Sequence, residues 1–432
     1  MKQGCMKGAW YLNRNPCVQV ACQAAQSSLA GPALLHFPTS RPPSANAMPS
    51  FTLPITSRLP DVGTTIFTTM SALANECGAI NLSQGFPDFD SPALLLDRVA
   101  HHMRAGRNQY APMTGVAVLR EAIAEKVQSL YGESYDPVDE ITVTAGATQA
   151  IYTAVAAMVH PGDEVIIFEP VYDSYVPAIT LAGGKAVSVR LKFPDYHIDW
   201  DEVAALVTPK TRMIMINSPN NPTGSVFSAA DMQALVRIVR GTDIVIVSDE
   251  VYEHIVFDGE RHESAARYPD LAERSFIISS FGKTYHVTGW KIGYCYAPKE
   301  LMTEFRKAHQ FIVFTCNTAV QFGLADFMEE KSHYLELAAF YQIKRDYFLN
   351  AIAGSRFVPL PSRGTYFQLC RFDAINDARD VDFVQWMTRE HGVAAIPVSV
   401  FYRTREDNHV IRFCFAKSEE TLAKAGDILR RV

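Results

Sequence analysis

From about Ser91 onward, apolar residues alternate between two spacings. In 91–106 (SPALLLDRVAHHMRAG), 115–132 (GVAVLREAIAEKVQSLYG) and 228–241 (SAADMQALVRIVRG) they recur every three or four positions, which places them on one helical face. Between these helices lie short unbroken apolar runs: ITVT (141–144), EVIIF (164–168), RMIMIN (212–217), DIVIV (243–247) and SFIIS (275–279). An unbroken run has no polar face, so such a strand has to be covered on both sides, as in a parallel sheet with helices above and below. The pattern therefore predicts an α/β fold around a doubly wound, mostly parallel sheet. After roughly Phe327 the rhythm changes to a long amphipathic helix over 333–352, GTYFQLC at 364–370, a helix near 381–392 and HVIRFCFA at 409–416, which predicts a smaller α+β domain.

The first 47 residues follow neither spacing. They mix Gln, Ala, Ser, Pro and Cys and end in the Pro/Ser-rich PTSRPPSANA before Met48, so no packed element is expected there. The net charge of −6 over 432 residues hides the same discontinuity, because the first 60 contain five Lys/Arg and no Asp or Glu. Three origins compete for this leader: an upstream start codon with Met48 as the true start, which is favoured, an acid-poor organellar transit peptide, or a signal peptide, for which ACQAAQSSLAGPALL is too polar.

The remainder, in a chain that is 48% hydrophobic and 20% charged, is of ordinary globular composition. No apolar stretch approaches the roughly 18 residues of a spanning helix, so no membrane partner is expected. Without a cluster of Lys/Arg there is no electrostatic footprint for nucleic acid, and a small-molecule partner is expected instead. Eight cysteines include Cys5, Cys17 and Cys22 in the leader and five scattered ones beyond it with no C-x-x-C pair, which points to a reducing, cytoplasmic setting and away from a thiolate zinc site. The histidines show no ligand spacing, so no metal is expected.

In an open α/β sheet the ligand crevice lies beyond the carboxyl ends of the strands. Four of the five runs end in residues with chemistry to offer. ITVT leads into Gly146, Ala147 and Thr148, a glycine turn opening a helix whose free N–H groups can cradle a phosphate. RMIMIN leads into SPNNPTG with Asn221, DIVIV into SDEVY with Asp249 and Tyr252, and SFIIS into Ser280, Lys283 and Lys291. Taken singly, each is ordinary: a loop lysine, a helix-capping acid, a turn. Jointly, a phosphate seat, a lysine, an acid, and Asn and Tyr donors match pyridoxal phosphate, with Lys283 for its aldehyde, Asp249 for its ring nitrogen, and Asn221 and Tyr252 for its phenolic oxygen.

The segments NLSQGFPDF, NQYAPMTGVAVLREAI, TAGATQA, SPNNPTG, SDEVY, SFGKTYHVTGWKIG and IRFCFAKSEETL occur in this order within the stretch from about residue 60 to the C-terminus. They resemble the fold type I aminotransferases of class I, and within them the methionine aminotransferase group near the kynurenine aminotransferase and cysteine-S-conjugate β-lyase branch. The resemblance implies a large domain with a seven-stranded sheet over 91–327, a small domain over 328–432, and an N-terminal arm with part of the small domain over 48–90. It implies Lys283, Asp249 and Tyr252 as catalytic residues and Lys283 as the general base. Gly146, Ala147, Thr148, Ser280 and Lys291 are implied for the phosphate, Tyr172 for stacking on the ring, and Asn221 for both cofactor and substrate. Gly85 and Arg412 are implied for the substrate carboxylate, and Tyr110 for the phosphate of a neighbouring subunit, hence a homodimer with shared active sites. Lys291 stands where many relatives carry Arg, giving a point charge in place of a bidentate fork. Ile66, Phe67 and Phe314 are expected to form an apolar side-chain pocket suited to methionine or aromatic donors. The implied activity is ping-pong transfer of an amino group to a 2-oxo acid. Its rivals are a β-lyase or kynurenine aminotransferase activity and a non-catalytic effector module, and the leader is too short and irregular to supply the DNA-binding domain such a module needs.

Overall fold

The unbroken apolar runs become strands of a seven-stranded sheet in the computed structural model, which describes residues 53–432. The leader expected over 1–47 lies outside the described residues. The strands are β1 (Ile141–Thr144), β2 (Glu164–Glu169), β3 (Lys185–Arg190), β4 (Thr211–Asn217), β5 (Val245–Asp249), β6 (Ser275–Ser280) and β7 (Gly293–Tyr296). They lie in the order β1-β7-β6-β5-β4-β2-β3; β7 runs antiparallel to β1 and β6, and the other pairs are parallel.

Both faces of the sheet are covered, as the unbroken runs require. On β4, Met213 and Met215 enter one apolar cluster while Ile214 and Ile216 enter the other, and on β5 Val245 and Val247 oppose Ile246 in the same way. The helices expected over 91–106, 115–132 and 228–241 occupy Ala93–Arg104, Ala117–Tyr131 and Ala229–Val239. The last begins in a capping box, Ser228 and Asp231 each satisfying the other's backbone N–H.

Two strands had escaped the apolar-run criterion. β3 lies at the sheet edge, so KAVSVR keeps exposed charges at both ends and reads as mixed. β7, GYCY, is fully buried, but its run is only four residues long and directly follows the segment singled out for Lys283 and Lys291.

A third apolar cluster gathers around a four-stranded antiparallel sheet ordered Ile396–Pro397, Val410–Cys414, Phe367–Arg371, Val358–Pro359. Ile80–Asn81 pairs in parallel with Val393–Ala394, tying the segment before residue 91 to this C-terminal region. The single helix expected over 333–352 is divided at Glu336 into Ser332–Leu335 and Leu337–Ala351. Tyr334 buries itself in the cluster of the large sheet, whereas Leu337 and Tyr341 pack in the C-terminal one, and the break lets neighbouring turns serve two cores. Among the described residues no helix is long and apolar enough to cross a membrane, and no group of three or more His, Cys, Asp or Glu could hold a metal ion.

Gly293 is where the sheet meets the helix that follows β1. A Cβ there would stand 2.6 Å from the Ser279 carbonyl oxygen and 3.0 Å from the Ala147 nitrogen. Gly293→Ala is expected to cost about 2 kcal/mol or more in urea denaturation, because backbone rather than a side-chain tip has to yield. Gly289→Ala, whose Cβ would meet nothing within 4 Å, is expected to stay near wild type.

Candidate active site

Parallel pairing sets the ends of the central strands level with one another. Asn217 of β4 lies opposite Asp249 of β5 in this way, while antiparallel pairing sets Ser280, the end of β6, opposite Gly293, the start of β7. Beyond these ends opens a cleft of about 200 Å³. Gly146, Ala147, Thr148, Tyr172, Asn221, Asp249, Tyr252, Ser280, Lys283 and Lys291 all line it, together with Asn217 and Thr288.

One end of the cleft suits an anion. The helix Ala147–Met158 starts there without a side-chain cap, so its first N–H groups are available to a ligand. Gly146 takes φ +77°, and a Cβ on it would fall 3.4 Å from Cε of Lys291, so glycine keeps the seat open. Lys291 itself has a left-handed backbone, φ 54°.

At the other end Asp249 is buried. The Tyr175 hydroxyl donates to its Oδ2 at 2.5 Å, and the Val251 N–H donates to its Oδ1 at 3.3 Å. Loss of solvent pushes its carboxyl up to about 6, against the pull of the Tyr175 hydrogen bond. The Lys283 amine donates to the Gly85 carbonyl at 3.2 Å and to the Tyr366 hydroxyl at 2.9 Å. Burial pulls its pKa down to about 8, with Lys291 and Arg412 adding to the depression. Burial likewise raises the Tyr252 phenol, so it stays protonated as a donor.

Gly85 and Arg412 stand just outside the cleft lining. Arg412 is 1% exposed, and its Nη1 donates to Asn221 Oδ1 at 2.6 Å and its Nη2 to the Ser83 carbonyl at 3.1 Å. Its Nε is buried without a partner, and the guanidinium lies 3.8 Å from the centre of the Phe367 ring. Phe67 lies 5.4 Å from the same guanidinium. Ile66, at the start of the helix Ile66–Cys77, packs against the C-terminal cluster and does not line the cleft. Tyr110 and Phe314 do not reach it either. They are 85% and 41% exposed and meet each other edge to face at 5.6 Å.

Residues at this site that had not been singled out from the sequence include Thr288 of the lining and three that hold its functional groups. Asn217, which accepts from the Asn221 N–H at 2.9 Å and donates to the Asp249 carbonyl at 2.9 Å, is the polar residue that ends RMIMIN, and the rule that found Asp249 reaches it too. Tyr175 lies three residues beyond Tyr172, close enough in sequence to have been a candidate. Tyr366, by contrast, carries no local signal.

A family model described as aminotransferase class I and II matches residues 78–429. The methionine aminotransferase of Escherichia coli strain K12 is 53% identical over 377 residues, which cover 87% of this chain and 98% of that protein. Human kynurenine–oxoglutarate transaminase 1 is 34% identical, over 83% of this chain and 93% of its own. Among solved structures, that of an Escherichia coli protein with a methionine aminotransferase function superposes with a TM-score of 0.87 at 52% identity, covering 88% of this chain and all of the other.

Lys283 and Asp249 are both pulled toward their neutral forms. The cost of a charged Lys283 is fully present below pH 8 and fades between pH 8 and its ordinary 10.5; that of a charged Asp249 is present above pH 6 and fades between 6 and 3.8. Lys283→Met is therefore expected to stabilise the ligand-free protein at pH 7 by on the order of 3 kcal/mol. Urea titrations should show that margin closing as pH rises from 8 to 10.5, and equal stabilities at pH 7 would show the amine to be solvated.

Proposed function

The chain belongs to the class I and II aminotransferases, and from that membership we propose that it transfers the α-amino group of methionine, and of aromatic or other apolar amino acids, to a 2-oxo acid with pyridoxal 5′-phosphate as carrier. One observation carries the proposal: the desolvated amine of Lys283 and the buried carboxylate of Asp249 face the same cleft as an anion seat.

The donor set fits this cofactor. Ala147 and Thr148 N–H groups, Ser280 and Lys291 would hold the phosphate, in a seat that a Cβ on Gly146 would crowd. Asp249 would hold the proton on the ring nitrogen, Asn221 and Tyr252 would donate to the phenolic oxygen, and Tyr172 would lie against the ring. When bound, pyridoxal phosphate supplies an aldehyde for the substrate amine and a ring that accepts the electrons released as the Cα–H bond breaks.

The chain's own residues supply the rest. With a pKa near 8, Lys283 is partly neutral at physiological pH and can take the Cα proton on Nζ. Arg412 lies over the Phe367 ring and is anchored on Asn221 and Ser83, and would grip the substrate carboxylate, fixing which Cα bond is presented for cleavage. Phe67 beside that guanidinium offers an apolar wall and no charge to an incoming side chain, which suits methionine better than aspartate.

The proposal includes a homodimer. Support comes from Tyr110, too exposed to serve its own chain's cleft and matching the family position that reaches a neighbour's phosphate. It also includes a large domain over 91–327 and a small domain over 328–432 joined by 48–90, a division supported by the apolar cluster of the four-stranded sheet, which apart from Tyr252, Ile255 and Phe257 is drawn from residues before 91 and after 328. Cys77, Cys295, Cys316, Cys370 and Cys414 are all free, which supports a cytoplasmic setting. The similarity to a kynurenine transaminase favours aromatic donors as second substrates.

A panel of amino donors against several 2-oxo acids tests the proposal. Methionine is expected to give ping-pong kinetics and its 2-oxo acid, whereas pyruvate and ammonia from a cysteine conjugate as the dominant products would establish the β-lyase instead. Lys283→Ala is expected to abolish the absorbance band of bound cofactor and to cut turnover at least ~10³-fold; retention of both would remove Lys283 from the chemistry.

A further inference from the structure

The Lys283 amine has two hydrogen-bond partners, and neither can donate to it. The Gly85 oxygen is a carbonyl, and the single proton of the Tyr366 hydroxyl is committed to that same carbonyl at 2.5 Å, so toward Lys283 the hydroxyl can only accept. A neutral amine has two N–H bonds and one lone pair. With both N–H bonds drawn to these two oxygens, the lone pair is left pointing away from them.

We propose that Tyr366, acting with the Gly85 carbonyl, is a positioning residue that aims the lone pair of Lys283 for proton transfer. This rests on Lys283 being the base. The ring that carries the hydroxyl is fixed on several sides, by Tyr252 at 5.2 Å, Phe367 at 4.9 Å and Tyr341 at 5.6 Å between ring centres, and is wholly buried. Burial also holds its phenol far above the ordinary tyrosine range, so it remains a neutral hydroxyl at any working pH. Without that oxygen one N–H loses its partner and the amine is free to rotate, misdirecting the lone pair while ring packing and cofactor seat stay in place.

Tyr366→Phe tests this, with Tyr341→Phe as control. Tyr341 packs against Tyr366 but spends its hydroxyl on His286 at 3.0 Å, away from Lys283. Tyr366→Phe is expected to lower kcat by about 10- to 100-fold with KM for methionine within twofold, and to raise the isotope effect with Cα-deuterated methionine, because proton transfer becomes limiting. A second readout needs no cofactor: in the cofactor-free protein, trinitrophenylation of Lys283 by trinitrobenzenesulfonate, which releases sulfite and is mapped by mass spectrometry, is expected to have its midpoint near pH 8 in the wild type. In Tyr366→Phe the midpoint is expected to fall, since the ammonium has lost an acceptor. Wild-type kcat with an unmoved midpoint would overturn the proposal. So would an equal loss in Tyr341→Phe, which would reduce Tyr366 to packing. Lys283→Ala in the same assays separates the levels: if it is inactive while Tyr366→Phe is intact, the positioning role alone fails, and if it remains active, the assignment of Lys283 as base fails.

Discussion

A buried carboxylate on the far side of the sheet holds the cleft side in register. Glu253 accepts from Lys126 Nζ at 2.7 Å, from the Tyr294 hydroxyl at 3.1 Å, and from the hydroxyls of Tyr131 and Ser279. Those donors come from the helix Ala117–Tyr131, from β6 and from β7, so a single group joins three elements to the turn after β5. Desolvation alone would raise its pKa, but the Lys126 ammonium, His254 and the hydrogen bonds overcome that and hold it below the ordinary carboxylate range. Such a charge is tolerable only when fully partnered, and removing one partner would cost roughly 3 to 5 kcal/mol. Tyr252 precedes Glu253 and Ser280 follows Ser279, so the fastening on one side fixes two cleft residues on the other. Glu250 is held similarly, by Ser248 at 2.7 Å, His262 at 2.9 Å and the Ala265 N–H at 2.9 Å, immediately after Asp249.

The contrast between the two sides of this turn is physical. On the far side both carboxylate oxygens of Glu253 have donors; in the cleft, Lys283 and Asp249 are both biased toward neutrality, and just outside its lining Arg412 keeps a buried Nε with no partner. Groups held in that condition gain from a ligand that brings opposite charge and hydrogen bonds. The satisfied network supplies the rigidity that lets the unsatisfied one persist without collapsing onto itself.

How much of this was legible in the sequence depended on whether the information was local. Unbroken apolar runs located five of the seven strands because burial on both faces leaves a one-dimensional trace, and β3 left none because an edge strand keeps polar residues. The place of Asp249, Lys283 and Asn221 in the cleft was legible because strand ends are, and in a parallel sheet the crevice lies beyond those ends. Asp249 proved to be the last residue of β5 itself rather than of the turn beyond it. Tyr366 was not legible, since its contact with the Gly85 carbonyl spans 281 residues and exists only once the C-terminal region has packed against the segment around residue 85. The break at Glu336 was equally hidden: a continuous amphipathic pattern records that a face is buried, and not that its two ends enter different cores.

The exposed pair Tyr110 and Phe314 constrains the substrate pocket in a way that neither residue does alone. From the sequence they had been given separate duties, Tyr110 to a neighbour's phosphate and Phe314 to the side-chain pocket of its own chain. Their rings touch edge to face at 5.6 Å on one exposed surface, and neither lines its own cleft. In the homodimer proposed above, a Tyr110 delivered to the partner subunit's cleft would carry Phe314 along with it. The apolar wall of the proposed methionine pocket would then be composite, with Phe67 beside Arg412 from one protomer and Phe314 from its partner. Donor preference in such a site would depend on the dimer interface as much as on the fold of either chain, whereas the grip proposed for Arg412 draws on Asn221 and Ser83 of its own chain.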